Sequence, residues 1–477
     1  MSSTSRYPRS GIAAIALVAV LAACQPASNP SPSPSASAGP TSPASAAATT
    51  TLPPTIGPVT TPGQSSSASA LPTAPSTAYP TVVPTAPPSA PPTAVPSQAP
   101  VTLGDWVRVT DFPLGGGDFV RLRAVTHRVP GYVAVGFVGD GAGAIEAGRV
   151  WMSDDGRTWS VQPSDAFQGA RLEIVVEHLG TLYALGPIPT DDPDFPDVGA
   201  YNIWSSSDGV NWTRMTQPPA FTGDAVLLGA TSAGETLIAF GYRNLPDAVN
   251  RPAVWTWTPT AAGSQWQLAD TLPDTYDVRR LAYADDIAIA LGNAVGDGTP
   301  SRSVWHSTDE GRSWAATDAP YTLEAGVHLQ DIAANVDPAR AHSPRGLYVA
   351  VGSEVGDREI WPVALPTTYT RDWFEGGRLL DFPMHQMERL VAVPGGFLAF
   401  GSEMRYVVDP NCAPGPCEGL EPSAGAAWTS ADGLTWRSAP GLPRGVAWEF
   451  AGIAVGATSV VVTYGDRVWS ASLDESP

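Results

Sequence analysis

Arginines and carboxylates set close together in weakly apolar segments are the residues of this chain best suited to chemistry. Arg123, Glu173, Arg280, Asp331, Glu388 and Arg389 are of this kind, with Arg279 and Gln330 beside them. Brought together, such a set would bind a sugar or an anionic group, and arginine supplies bidentate contacts. The alternative is that they pair with one another around water. A second group, Asp191, Asp192 and Asp194, offers the carboxylate oxygens that Ca²⁺ takes. Its spacing matches no calcium loop, and the interspersed prolines favour a solvated acidic loop. Cys412 and Cys417 flank Ala-Pro-Gly-Pro, which suits a small loop disulfide in an exported chain; a metal pair is the lesser alternative, because no histidine lies nearby. No nucleophilic triad can be assembled. The six histidines are scattered, no Gly-x-Ser-x-Gly elbow occurs, and the cysteines outside the loop pair reduce to Cys24. No cofactor is implied.

The elements that must position these residues repeat. An apolar segment ending in glycine recurs seven times: Tyr132-Val-Ala-Val-Gly136, Leu182-Tyr-Ala-Leu-Gly186, Leu237-Ile-Ala-Phe-Gly241, Ala288-Ile-Ala-Leu-Gly292, Tyr348-Val-Ala-Val-Gly352, Phe397-Leu-Ala-Phe-Gly401 and Val461-Val-Thr-Tyr-Gly465. A near-continuous apolar run reads as a strand covered on both faces. A weaker strand precedes each copy, and these weaker strands carry the arginines and carboxylates above. Tryptophans mark the same interval of about 50 residues, which in a strand-rich chain indicates a β-propeller. One series is Trp151, Trp204, Trp257, Trp305, Trp361, Trp428 and Trp469; its partners are Trp159, Trp212, Trp266, Trp314, Trp373 and Trp436, with Trp106 completing the set. The expectation is an all-β, seven-bladed propeller of four-stranded antiparallel blades. Arg467 to Ser470 would be the third strand of the last blade and Asp105 to Val109 its fourth, closing the ring and removing its edges.

Third and fourth strands are joined by a motif. Ser153, Asp155, Gly156 and Trp159 match Ser206, Asp208, Gly209 and Trp212, and again Ser430, Asp432, Gly433 and Trp436. Ser307, Asp309, Gly311 and Trp314 form a copy one residue longer. Asp and Ser side chains can bond the amides of their own turn, and glycine supplies a positive φ. These turns resemble the Asp-box, or BNR repeat, of sialidase-like propellers. In that family the boxes lie opposite the active site, so the resemblance implies structural turns rather than catalytic aspartates. The sialidase catalytic set is three arginines, a Tyr–Glu pair and an acid Asp, with the first arginine in a Phe/Tyr-Arg-Ile-Pro motif. The nearest string, His127-Arg128-Val129-Pro130, falls in a hairpin on the box face, and seven blades replace that family's six. The repeat class is also similar to two other groups. One is the xyloglucan-active glycosidases, which need paired propellers. The other is the non-enzymatic photosystem II assembly propeller, whose basic patch this acidic chain lacks.

The opposite face, with the second-to-third strand loops and the blade links, is where such propellers bind. In the ring, the innermost strands line a central channel, and alternation turns some of their polar residues into it.

The chain begins with Arg6 and Arg9, a short apolar run from Gly11 to Ala23, and Leu21-Ala22-Ala23-Cys24. The run is too short to span a bilayer. It resembles a bacterial lipobox, which implies a signal peptide over 1–23 and lipidation of Cys24. Residues 24–100 are almost wholly Pro, Ser, Ala and Thr without a charge, a composition that stays disordered and reads as a tether. Residues 101–477 form the propeller. Net charge is −20 and lysine is absent, which argues against nucleic acid. The expected protein is a monomer, exported and held to the outer face of a bacterial membrane by its lipid alone. Its propeller would be a non-catalytic platform for a protein or an envelope glycan. The alternatives are a glycoside hydrolase using loop-face carboxylates and an assembly chaperone for a membrane complex.

Overall fold

The computed structural model describes residues 101–474 except 141–143, 163–164, 189–199, 216–220, 222–224, 245–249, 260–264, 270–271, 273–274, 295–301, 318–326, 336–345, 357–358, 368–376, 410–416 and 444–451. The leader, Cys24, the 25–100 segment, Asp191, Asp192, Asp194, Trp373 and Cys412 lie outside the described residues.

Seven antiparallel sheets follow one another along the chain. Blade 1 runs from Phe119–Arg128 inside through Gly131–Gly139 and Ile145–Ser153 to Ser160–Gln162 outside. Its second strand is buried at every position, as a strand sandwiched between neighbouring blades must be. The other inner strands are Ile174–His178, Ala225–Ala233, Thr275–Ala284, Val327–Asn335, His385–Val393 and Gly452–Val455. Each touches the next in order, and the seventh touches the first. Blade 7 is completed from the N-terminal side. Its third strand, Arg467–Asp474, pairs with Thr102–Leu103 and Val107–Arg108. The backbone N–H groups of Gly104 and Val109 add bonds to Ser472 (3.0 Å) and Val468 (2.9 Å). The closing strand therefore starts three residues earlier than the sequence suggests and is interrupted around Gly104.

The buried apolar residues fall into seven clusters, each drawn from two neighbouring blades, including the seam between the seventh and the first. A core divided this way explains how one chain of this length avoids a single oversized interior.

The tryptophan register corrects part of the sequence reading. The fully buried third-strand indole lies directly across from the central alanine of the second strand: Trp151 from Ala134, Trp204 from Ala184, Trp305 from Ala290 and Trp428 from Ala399. In blade 3 this place belongs to Trp255, opposite Ala239, and not to Trp257. Blade 5 has Leu365 there, opposite Ala350, while Trp361 stands opposite Glu354. In blade 7 Trp469 faces Val462 and stays half-buried. A 50-residue interval with insertions cannot resolve the shifts of two and four residues in blades 3 and 5, which keep a side chain on the same face, or the shift of one in blade 7, where Val468 stands opposite the central Thr463 and Trp469 turns to the other face.

In blades 1, 2 and 3 the two tryptophans meet through a third ring supplied by the preceding link. Phe167 touches Trp204 and Trp212 at 5.4 and 5.6 Å between ring centroids. Phe112 does the same for Trp151 and Trp159, and Phe221 for Trp255 and Trp266. The links also accept indole N–H bonds, from Trp151 to the Pro113 carbonyl (2.7 Å) and from Trp204 to that of Ala166 (2.9 Å). These three links are thus plugged into the blades they introduce.

Candidate functional site: the bulged ring of the central channel

Five inner strands carry a β-bulge at the same place. Pairing with the second strand skips a residue between Leu122 and Ala124, Leu227 and Gly229, Val278 and Arg280, Leu329 and Asp331, and Met387 and Arg389. The residue before each skip lies opposite the repeated glycine of the second strand: Gly136, Gly241, Gly292, Gly352 or Gly401. A Cβ at Gly136, Gly241, Gly352 or Gly401 would stand 1.8–2.0 Å from an inner-strand carbonyl oxygen. The repeated glycine is thus the space into which the bulge buckles, and the bulge re-aims the side chains that follow it.

Those side chains are the ones the sequence singles out. Arg123, Arg280, Asp331, Glu388 and Arg389 all sit within the bulges. Glu173 takes the equivalent place in blade 2, where its N–H bonds Leu185 and the N–H of Arg171 bonds Pro187. The bulges lie near the starts of the inner strands, whereas the strand ends lead to the hairpins of the box face. The ring therefore belongs to the loop-face half of the channel. Deeper, the channel holds a cavity of about 390 Å³ lined by inner-strand residues such as Val125, Ala282, Tyr283, Ala333, Val391 and Ala454.

Most of the ring is paired within itself. Glu173 Oε1 lies 2.9 Å from Arg171 Nε and 3.6 Å from Arg123 Nη2, and Oε2 accepts the Tyr201 hydroxyl at 2.7 Å. Burial and the Glu173 charge push the Tyr201 phenol far above its usual range. Asp331 is buried and bridges three blades. Its Oδ1 accepts the Ile332 N–H (2.9 Å) and faces Arg280 Nε at 3.3 Å, and its Oδ2 accepts the Leu390 N–H at 3.0 Å. Burial pushes this carboxyl up, against the pull of Arg280 and both amides. Glu388 differs. Oε1 accepts the Gln386 amide and the Ser402 hydroxyl, and among the described residues no cation pairs with it. Burial raises its carboxyl to about 7, with the two hydrogen bonds opposing the shift. Arg389 next to it is half-buried.

The box residues are occupied elsewhere. Ser153 Oγ donates to Asp155 Oδ1 (3.1 Å) and accepts the Gly156 N–H (2.8 Å). Asp155 accepts the N–H groups of Arg157 and Thr158, and Trp159 Nε1 donates to the Gly156 carbonyl. Ser206 with Asp208 and Ser430 with Asp432 repeat the pattern. In the longer copy Ser307 and Asp309 hold Gly311 and Ser313, and the extra residue, Glu310, takes φ 58°. Gly156, Gly209, Gly311 and Gly433 have φ between 72° and 84°. A Cβ on each would meet the preceding blade, at Val461, Met152, Ile238 and Val349. Trp212, Trp314 and Trp436 close their turns by the same indole bond. Arg128, of the His127 to Pro130 string, donates to the Ser207 carbonyl in the box of blade 2, on the box face.

Arg171, Gln386 and Ser402 carry no signal of their own in the sequence, since only the register brings them to the ring. The plugging links do carry one: Phe112-Pro113, Leu272-Pro273, Phe382-Pro383 and Leu442-Pro443 recur ahead of the inner strands. Among the described residues no three His, Cys, Asp or Glu side chains are grouped to hold a metal ion. Cys417 begins the third strand of blade 6, paired with Asp409.

No family profile matches the sequence, and no curated protein matches it. Solved structures similar to this chain are propellers of low identity. YCF48 from Cyanidioschyzon merolae aligns at TM-score 0.44 and 12% identity, over 77% of this chain and 98% of that one. A catalytically inactive virginiamycin B lyase from Staphylococcus aureus aligns at 0.45 and 9%, over 78% and 100%. A Trypanosoma rangeli sialidase bound to the inhibitor DANA aligns at 0.41 and 11%, over 77% of this chain and 59% of its own length.

Proposed function

We propose that this chain is an exported lipoprotein, anchored through Cys24 and a 25–100 tether, whose propeller is a non-catalytic binding platform with Asp-box turns. Its ligand is a protein or an envelope glycan, met on the loop face over the channel mouth. The observation that carries this reading is the state of the ring: Glu173 and Asp331 are committed to arginines, a tyrosine and backbone amides that join neighbouring blades. Groups so held shape a surface and do not exchange protons readily.

A second reading has one specific observation in its favour. A carboxyl held near 7, as Glu388 is, suits a general acid in glycoside hydrolysis, which also requires a second carboxylate across the bond. The full chain is to be tested against sialosides, xyloglucan and envelope glycans, with and without Ca²⁺, by thermal shift and by released sugar. A shift without release is expected. Sugar release that disappears in Glu388→Gln would replace the platform with an enzyme, and silence on both channels would limit the ligand to protein.

A further inference from the structure

One arrangement occurs twice in the ring, and its second copy lacks the cations. Glu173 and Glu388 occupy equivalent places, in blades 2 and 6. Two positions before Glu173 stands Arg171, with its Nε 2.9 Å from Oε1, and the bulge of the preceding blade brings Arg123 to 3.6 Å from the same oxygen. Two positions before Glu388 stands Gln386, and the bulge of the preceding blade carries Gln330. Glutamines thus hold both of the places that arginines hold around Glu173. Asp331 follows the first pattern, with Arg280 of the blade before it at 3.3 Å. A half-buried carboxylate that receives only neutral donors is left, among the described residues, without the counter-charge that its burial calls for.

The two oxygens of Glu388 differ. Oε1 accepts the Gln386 amide and, at 3.4 Å, the Ser402 hydroxyl. Oε2 accepts no bond among the described residues, yet it is not one of the buried side-chain atoms left without a partner, so it is open to solvent. The influences on this carboxyl are burial and those two hydrogen bonds; the neighbouring Arg389 is not one of them. A single open acceptor fits a compact ammonium on a narrow stem. An arginine fork asks for two oxygens, and one is already taken. This chain contains no lysine, so neither the propeller itself nor a second copy has such a side chain to offer. The four-carbon stem of lysine also reaches a recessed carboxylate, whereas an amine fixed directly on a sugar brings the whole ring against the mouth.

We infer that the platform takes a protein partner through a lysine side chain, whose ammonium enters the ring at blade 6 and pairs with Glu388 Oε2. The inference rests on the platform reading and narrows its ligand to a protein.

The test titrates the full chain with a capped glycine–lysine–glycine tripeptide, read by saturation-transfer NMR. A matching tripeptide with norleucine keeps the stem and lacks the charge. Saturable binding by the lysine peptide alone is expected. Glu388→Gln retains an oxygen for Gln386 and Ser402 and should weaken that binding about tenfold or more. Gln330→Arg sets a guanidinium where Arg123 stands beside Glu173. It should pair with Glu388 internally and weaken the peptide as much, with tryptophan emission unchanged in both variants. Equal binding by the norleucine peptide, or by either variant, would overturn the inference and leave the platform to the glycan panel. Glucosamine oligomers run in parallel separate the sources of the amine. Binding by these that is lost in Glu388→Gln, with the lysine peptide silent, would overturn the protein partner.

Discussion

Glycine makes the clearest statement at the level of single residues. Gly401 lies where a methyl group would stand 1.8 Å from the Gln386 carbonyl, with backbone on both sides of the clash. Gly401→Ala should cost about 1–3 kcal/mol through overpacking, read as a lower denaturant midpoint at unchanged slope. Gly419 has nothing within 4 Å of its added Cβ and no positive φ, so Gly419→Ala should be neutral or slightly stabilising and serves as the control. Carboxyls separate by the same kind of detail. Burial pushes Asp432 up, but the N–H groups of Leu434 and Thr435 and the hydroxyls of Ser430 and Thr435 together hold it below its ordinary value of 3.8. A depressed acid contributes stability that is present above the unfolded value and lost as pH falls through the folded one. Asp432→Ala should therefore lose about 1 kcal/mol at neutral pH and much less at pH near 2, in paired denaturation curves. Glu388 has the opposite sign. Its folded form holds a proton up to about 7 against an ordinary 4.5, so it favours the fold less as pH rises between those values. Glu388→Gln should flatten that fall and leave the stability at pH 4 unchanged.

At the scale of the element, the unit is a blade with its plug. Phe167 belongs by sequence to the link after blade 1, yet it is fully buried against the tryptophans of blade 2. Removing such a ring leaves a cavity that sheets cannot close by sliding, because their register is fixed by hydrogen bonds. Phe167→Ala should cost about 3–5 kcal/mol and shift the tryptophan emission to the red. Phe112 and Phe221 make the same contacts in blades 1 and 3, so equivalent losses there would mark the plug as a property of the repeat. Seams on the box face are tied as well. The Tyr348 hydroxyl donates to the Ala284 and Ile287 carbonyls of the preceding blade's hairpin, and that of Tyr132 reaches Ser459 of the last blade. These ties explain why the box turns abut the preceding blade so closely that only glycine fits their positive-φ corner.

For the whole molecule, closure is decisive. The third strand of blade 7 would be an open edge without Thr102–Leu103 and Val107–Arg108. Replacing residues 101–109 by a flexible polar stretch should expose the amides of Arg467–Asp474 to exchange and promote association through that edge, checked by hydrogen exchange and sedimentation. The number of blades, the direction of the strands and the closing strand were all legible in the chain, because a repeated apolar period and a displaced final unit leave few topologies open. The box turns were legible too, since their bonds are local and three to four residues determine them. Other features needed the tertiary structure. Trp255 and Trp257 both fit a 50-residue spacing, and only cross-strand pairing shows which indole faces Ala239. Arg123, Glu173, Arg280, Asp331, Glu388 and Arg389 could be picked out by type. That Glu173 and Asp331 are consumed in ties between blades, while among the described residues Glu388 meets no cation, depends on residues 28 to 59 positions away in sequence and on a bulge that re-aims each strand. Local chemistry and periodicity are written in neighbouring residues, so sequence alone determined the ring and its turns. Pairing, burial and charge compensation arise between distant residues, so only the tertiary structure decided which groups of the channel remain available and that the second and third strands of blade 6 run to 14 residues each.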